Sequence, residues 1–479
     1  MNKRFAVPLE GIRLGDAARV GYKAAVLGDL LRLGLQVPPG FCITASALEA
    51  FLQMHVESPR RHADLESVIL KAPLPAKVEG EIRRAYRALA RRPEGGWTAV
   101  RLSGLEPAAG QGDWSQPQHA ALAMCGWDEV LSAVRRCWAS AFSPRALRRW
   151  PGGTWFEPSP PAVVVQAMVN AACAGVAFSC RQRGGRAVMV EACWGLGQTL
   201  TRGMSLPDRY YLTVAPTAQP RLRRVWRGSK GTVATYLPAI PGARSAGRGQ
   251  YLPLALPGLP AFNAEVLNLE GNNLALFRTP EALRRAECLS RGHLEELAGT
   301  VLALEDYYRE PQSVEWAVGI CGTSQGLFIL QAQPEAPPAE DKASSQQSLP
   351  GMTVAGGVAR GRALVIHGPS TAEVPTGGQA GAEGGVLVAP SLSPELIPLM
   401  LKARAVVTES GGTLSHAAIL AREMGIPCLT GVRGATRQFL TGDHLEVDGA
   451  NGRVRRLQPA ADPRVRPELW AGTRQATSR

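Results

Sequence analysis

Apolar positions along this chain recur with two different periods, and the switches between them mark its elements. From Ala24 to Leu33 they follow helical spacing, and Gly34 with the Pro38-Pro39-Gly40 breaker ends the run before a strand-like FCIT. Loop, helix, turn and strand are therefore expected in that order, with Lys23 where the loop becomes helix. Helical spacing returns, rich in Arg, over 76–92 and 127–150. Between these, Trp97 to Arg101 reads as a short strand entering a Gly-rich polar loop, LSGLEPAAGQGDW. Three apolar runs of strand length follow, over 162–169, 174–180 and 186–197. They predict a mixed or antiparallel sheet with Gln166 and Glu191 at its edges.

The Pro- and Gly-rich stretch 237–260 reads as a surface excursion. A helix is expected from about Leu289 to Tyr308, and QSVEWAV and GLFILQAQP then pair as a hairpin. Residues 336–348 show no period, only Pro, Ala, Ser and charge, the composition of a semi-extended linker. Beyond it, short strand segments (GRALVIH, GGVLVAP, RAVVTE, HLEVDG, RVRRL) surround one well-marked helix from His416 to Met424, and the tail 459–479 is polar and expected to fray. The pattern divides the chain into modules at 1–335 and 349–458, joined by a tether.

Composition narrows the class. With 479 residues, 45% of them hydrophobic, the chain can bury a sizeable core in two or three domains. No run of about 18 apolar residues and no signal-peptide core occurs, so a cytoplasmic protein without a membrane span is expected. Nine cysteines, an odd number with no CxxC pair, read as reduced and buried. The formal charge of +13 comes from 53 basic residues of which only seven are Lys, and the arginines are scattered as RR pairs. That is the mark of an Arg-biased composition rather than a nucleic-acid surface. The densest cluster, Arg221 to Lys230, could stack on nucleic acid but reads better as an exposed hairpin.

The sharpest candidate chemistry lies in Thr408–Gly431, TESGGTLSHAAILAREMGIPCLTG. A strand runs into Gly411-Gly412, and a helix opens near Ser415-His416 and closes at Gly425 and Pro427. A histidine in the first turn of a helix lies beside free backbone N–H groups and the positive end of the dipole. These would stabilise a phosphoryl group carried on the ring. The same position suits a histidine that merely caps the helix, and spacing leaves both readings open.

Residues 351–457 resemble the swivelling phosphohistidine domain of the phosphoenolpyruvate synthase and pyruvate phosphate dikinase family. The family pattern around the active histidine stands here as Gly411, Gly412, Thr413, Leu414, Ser415, His416, Ala417, Ala418 and Ile419, with Ala421, Arg422, Glu423, Gly425, Ile426 and Pro427 behind. Many members that use phosphoenolpyruvate have Thr where this chain has Leu414, and an apolar residue there resembles relatives with other acceptors, such as the rifampicin phosphotransferases. The first 335 residues resemble the family's nucleotide-binding domain, through VGYKAAVLGDL (Val20–Leu30), LGLQVPPGF, AVVVQAMV, AGVAFS, VEACWGLGQTL and LPDRYYL. The implied fold is α/β and α+β multidomain, an ATP-grasp-type domain followed by a small β/α phosphohistidine domain.

By that resemblance Lys23 and Arg101 bind ATP phosphates, and Gln166, Met168 and Val169 edge the adenine. Glu191 faces the nucleotide, Glu315 and Gln331 hold Mg2+ (or Mn2+), and His416 is the catalytic residue on a loop with Gly411, Gly412, Ser415 and Arg422. The departures are equally specific. After Arg101 the chain reads Leu102, Ser103, Gly104, Leu105, Glu106, Pro107 where the family has a Thr and an acidic pair. Tyr22 replaces a Gly, and Gln333 replaces an arginine expected on the ATP phosphates. An arginine at a transferring phosphate contributes roughly 10³ or more in rate, so the clamp is either rebuilt or weakened.

No segment resembles the family's phosphoenolpyruvate- and pyruvate-binding barrel or the large acceptor domain of the rifampicin phosphotransferases. The expected activity is therefore transfer of a phosphoryl group, the β-phosphate by resemblance, from ATP to His416. It would then pass to an unidentified acceptor, either a hydroxylated small molecule or one held by a partner subunit, with release of AMP and phosphate. The alternative is a catalytically weakened relative that serves as a binding or scaffold subunit.

Overall fold

The lysine-bearing helix, Ala17–Arg32, is broken at Gly21, where φ is 75° and ψ is 160°, a conformation open essentially to glycine alone. A Cβ at Gly21 would fall 2.2 Å from the Ser103 carbonyl oxygen, so the break is where the end of a strand comes up against the helix. In this computed structural model the described residues are 4–55, 62–104, 120–142, 161–182, 185–202, 204–214, 220–236, 248–270, 273–334, 349–366, 384–392, 396–409, 416–432 and 434–457. They belong to two compact units, Met1–Pro337 with Gly411–Glu423, and Pro338–Ser410 with Met424–Arg479.

The first unit is built on three antiparallel sheets. One has five strands in the order Ala6–Pro8, Gly40–Ile43, Ala162–Ala167, Thr98–Ser103, Ala120–Met124. Its central strand explains the unbroken apolar run AVVV. Ala162 and Val164 pack on the side of the Lys23 helix, with Val20, Ala24 and Leu27. Val163 and Val165 pack on the other side, with Phe51, Ile82, Val134 and Trp138 from the helices Ala45–His55, Ala76–Ala90 and Trp127–Ser140.

A six-stranded sheet follows the order Ser324–Pro334, Gln312–Cys321, Asn170–Gln182, Gly185–Trp194, Asp208–Val214, Arg221–Trp226. It is covered by helix Arg291–Tyr308, which starts at a Ser290 cap and packs Leu294, Leu297 and Val301 into the core with Val190, Val314 and Trp316. Gln166 and Glu191 were expected at sheet edges. They instead occupy the central strand of the first sheet and an interior strand of the second, each tolerated there because a buried partner satisfies it.

Strand Arg221–Trp226 is the exposed edge expected of the basic cluster, but Lys230 leaves it. Its ammonium is fully buried and donates to Asp208 Oδ1 at 2.5 Å. The third sheet runs Thr232–Tyr236, Leu274–Arg278, Phe262–Glu270, Tyr251–Leu254. Its last strand corrects the expected excursion over 237–260. Pro253 is tolerated because this is an edge strand, and residues 237–247 lie outside the described set.

The second unit carries an eight-stranded sheet in the order Leu349–Pro350, Arg453–Arg456, His444–Asp448, Val358–Val365, Val386–Ala389, Ala405–Thr408, Cys428–Thr430, Met352–Ala355. The pairings among Val358–Val365, Val386–Ala389, Ala405–Thr408 and Cys428–Thr430 are parallel, and the rest are antiparallel. Its core is Val386, Val388, Ala405, Val407, Leu429, Leu445, Val447 and Val454. Of the cysteines whose side chains are described, Cys42, Cys137, Cys173, Cys193, Cys288, Cys321 and Cys428 are free and buried, and Cys125 is free and exposed. Burial pushes up the thiols of Cys42, Cys137, Cys173, Cys193, Cys288 and Cys321, that of Cys137 to about 12, so these remain protonated and inert. No described helix is long and apolar enough to cross a membrane.

Candidate active site

Lys23 lies two residues beyond the Gly21 break, in the first turn of the resumed helix. Its side chain is almost wholly buried. Burial holds its ammonium at about 8 rather than 10.5. The nearby Arg101 is the second cause of this lowering, and Glu315 and Cys137 oppose it. The break is stitched from outside the helix. Ser103 Oγ donates to the Val20 carbonyl at 2.8 Å and accepts from the Ala24 N–H at 3.1 Å, and the Tyr22 N–H donates to the Gly104 carbonyl at 2.7 Å. Ser103 thus caps both sides of the interruption from a position some eighty residues away, and the strand that carries Arg101 is tied to the helix that carries Lys23. Tyr22, which replaces a Gly of the family pattern, is half-buried and packs against the core.

Arg101 stands on strand Thr98–Ser103 and reaches across to the hairpin Gln312–Pro334. A guanidinium N–H donates to the Leu330 carbonyl at 3.5 Å, and the Glu315 carboxylate is 3.8 Å away. Glu315 and Gln331 are direct cross-strand partners, beside a bulge between Glu315 and Trp316. Gln331 is buried. Its Nε2 donates to Gln333 Oε1 at 2.7 Å, and its Oε1 has no hydrogen-bond partner. A carboxylate, one-third exposed, beside an unsatisfied amide oxygen is a pair of hard oxygen donors that fits a divalent cation. No group of three or more His, Cys, Asp or Glu that could hold a metal occurs among the described residues. A cation here would complete its shell with ligand oxygens and water.

The other expected nucleotide contacts are placed differently. Met168 and Val169 are buried in the two-residue step between strands Ala162–Ala167 and Asn170–Gln182, where the first sheet passes into the second. The Met168 N–H is taken by the Trp97 carbonyl at 2.8 Å. Gln166 spends its amide on the Pro38 carbonyl at 2.9 Å, which fixes the breaker loop against the sheet. Glu191 is completely buried in an ion pair with Arg209 at 2.7 Å, so its charge is matched within the protein. Helix His416–Glu423 begins at the expected histidine and carries Arg422 in its last turn. Gly411, Gly412 and Ser415 lie outside the described residues.

The model of the pyruvate phosphate dikinase AMP/ATP-binding domain matches residues 17–238 and 263–349, more than half of the chain, and that of the mobile domain of PEP-utilising enzymes matches 381–452. The chain belongs to the phosphoenolpyruvate synthase and pyruvate phosphate dikinase family. A probable phosphoenolpyruvate synthase of Staphylothermus marinus is 32% identical over 94% of this chain and 57% of its own length. The phosphoenolpyruvate synthase of Pyrococcus furiosus is 27% identical over 95% of the chain and 59% of its own length, and that of Escherichia coli 29% over 92% and 56%. The chain spans somewhat more than half the length of these curated relatives.

Against the family pattern, Ser103 is the residue that motif reading undervalued. It belongs to the loop that departs from the family pattern, yet it links the lysine and arginine elements. A serine ending a strand carries no periodic signal, and its partners lie 79 and 83 residues away. Gln333, at the position where the resemblance implies an arginine, lies on the same side of its strand as Gln331 and accepts from its Nε2, while Arg101 pairs with Glu315.

Proposed function

We propose that the first unit is an ATP-grasp-type domain that binds ATP, and that the sequence module 349–458 is a swivelling phosphohistidine domain tethered through 336–348. The observation that supports this best is the convergence of Lys23, Arg101, Glu315 and Gln331, from a helix and three strands, on one patch of the first unit. Lys23 and Arg101 supply an ammonium and a planar guanidinium for phosphate oxygens, the first largely desolvated and therefore acting in a low dielectric. Glu315 and Gln331 would hold Mg2+ or Mn2+. When bound, that ion neutralises phosphate charge and orients the chain of phosphates. Met168 and Val169 provide an apolar edge for the base.

A ring nitrogen of His416 attacks the β-phosphorus of ATP and displaces AMP, by analogy with the family, and water then cleaves the β–γ bond, releasing the γ-phosphate as inorganic phosphate and leaving the β-phosphoryl group on the ring. The helix start at His416 supplies backbone N–H groups and dipole for the charge that arrives. The relatives' names make pyruvate, phosphorylated on its enol oxygen to phosphoenolpyruvate, the first acceptor to test, before hydroxylated small molecules. A partner subunit could present the acceptor in either case.

The test is incubation with Mg2+ and ATP labelled at the β or the γ position. An acid-labile, base-stable label on the protein from β-labelled ATP, abolished in His416→Ala, is expected together with AMP. If neither label nor AMP forms, the reading is wrong.

A further inference from the structure

We propose that Gln333 is a positioning residue that acts through Gln331, holding the Gln331 amide so that its oxygen faces the cation side. This rests on the nucleotide-site reading above. The two glutamines stand two residues apart on strand Ser324–Pro334 and therefore on the same face, with Gln331 directly across from Glu315. An amide group has an acceptor end and a donor end, and which end faces the site is set by its neighbours. Gln331 shares its face of the hairpin with Glu315, whose carboxylate lies 3.8 Å from the Arg101 guanidinium. The buried Nε2 needs an acceptor, and Gln333 Oε1 supplies it at 2.7 Å. The outcome is a buried Gln331 Oε1 with no protein partner, adjacent to a carboxylate.

An arginine at 333 offers only donors. It would leave the Gln331 Nε2 without this acceptor. The glutamine thus does more than remove a phosphate ligand. It exchanges a donor for the acceptor that keeps the cation-facing oxygen available.

The experiment measures affinity for a fluorescent, non-hydrolysable ATP analogue on the full chain, with and without Mg2+, and takes the ratio as the metal dependence. Gln333→Leu leaves the Gln331 nitrogen unheld and is expected to lower that ratio about tenfold, the usual effect of losing a residue that orients a metal ligand. Gln333→Glu retains an acceptor and is expected to keep the metal dependence, which provides a reading even if the leucine variant folds poorly. In a Gln331→Ala background, Gln333→Leu should have no further effect, because the residue it positions is gone. Unchanged metal dependence in Gln333→Leu, or an equal loss in the Gln331→Ala background, would overturn the proposal. If the wild-type chain does not bind the analogue at all, the nucleotide-site reading fails and the proposal falls with it. If it binds equally with and without Mg2+, the metal assignment alone fails and again takes the proposal with it.

Discussion

Lys23→Met separates the two things that a buried lysine does. Its ammonium is held at about 8 against an ordinary 10.5, chiefly by desolvation and secondarily by Arg101. That drop corresponds to about 3 kcal/mol by which the folded state, without ligand, disfavours the charged form at neutral pH. Methionine fills similar space without charge, so Lys23→Met is expected to be more stable than the wild type at pH 7 by about that amount, a shift of several degrees in unfolding temperature. The sign of the pH dependence follows from proton counting. Between about 8 and 10.5 the unfolded chain holds the Lys23 proton and the folded chain has released it, so wild-type stability rises with pH across that window. The advantage of the methionine variant should shrink correspondingly.

Scanning calorimetry of both proteins at several pH values measures the difference, and titrations common to the two cancel. Nucleotide binding should move the other way. A lost charged hydrogen bond is worth about 1.5–3 kcal/mol, so affinity for an ATP analogue should fall roughly 10- to 100-fold. A polyphosphate beside Lys23 favours the ammonium, so wild-type binding near pH 8.5 should take up protons in isothermal calorimetry run in two buffers of different ionisation enthalpy, about half a proton or more being expected from the linkage. The reasoning is refuted if Lys23→Met is less stable at pH 7, or if its difference from the wild type does not change with pH.

Ser103→Ala strands the Val20 carbonyl and the Ala24 N–H, and should cost about 1–3 kcal/mol, seen as faster hydrogen exchange at Ala24 together with weaker nucleotide binding. Glu191→Gln leaves Arg209 buried without its counter-charge and should destabilise the first unit by about 3–5 kcal/mol in thermal unfolding, whereas Glu191→Leu with Arg209→Met should recover much of the loss. In the second unit, Glu446 accepts from Arg360 and Arg455 at 2.6 Å each, and the Arg455 hydrogen bond contributes most to holding its carboxyl below the usual range. Its contribution is present at neutral pH and is lost as pH falls through that lowered value. Glu446→Gln should therefore flatten the acid limb of unfolding measured against pH.

Much of the framework could be read from periodicity because burial is one-sided or two-sided in recognisable ways. The AVVV strand is apolar throughout because helices cover both its faces, and Ala76–Ala90 shows its buried stripe of Val78, Ile82, Tyr86 and Leu89 at helical spacing. What escaped was set by tertiary neighbours. Glu191 is polar in an interior strand because Arg209 comes opposite it, and Tyr251–Leu254 is a strand only because Phe262–Glu270 offers an edge. Within the site, Lys23, Arg101, Glu315 and Gln331 could be picked out by motif, but no spacing indicated that Ser103 would bridge a break at Gly21. Nor did any spacing indicate that Gln333 would accept a hydrogen bond from Gln331. Those contacts depend on close approach between segments far apart in the chain.

The charge inventory of the site bears on the order in which ligands can enter. Among the described residues Lys23 and Arg101 supply two positive charges and Glu315 one negative, so these three groups are together net positive. Unit charges about 4 Å apart near a protein surface interact by about 4 kcal/mol, and a divalent cation doubles each such interaction. A bare metal ion therefore gains from Glu315 no more than it loses to the two cations, and the single amide oxygen of Gln331 does not redress the balance. A polyphosphate reverses the sign, occupying Lys23 and Arg101 and freeing Glu315 from its 3.8 Å pairing with the guanidinium. Metal should accordingly bind with the nucleotide or after it. Electron paramagnetic resonance of Mn2+ with the wild-type chain alone should show nearly all of the ion free, and addition of a non-hydrolysable ATP analogue should produce a bound, Glu315-dependent signal. Lys23→Met, by removing one repelling charge, should raise nucleotide-free Mn2+ binding. Tight Mn2+ binding by the wild type without nucleotide would show that the cation site is not governed by these charges.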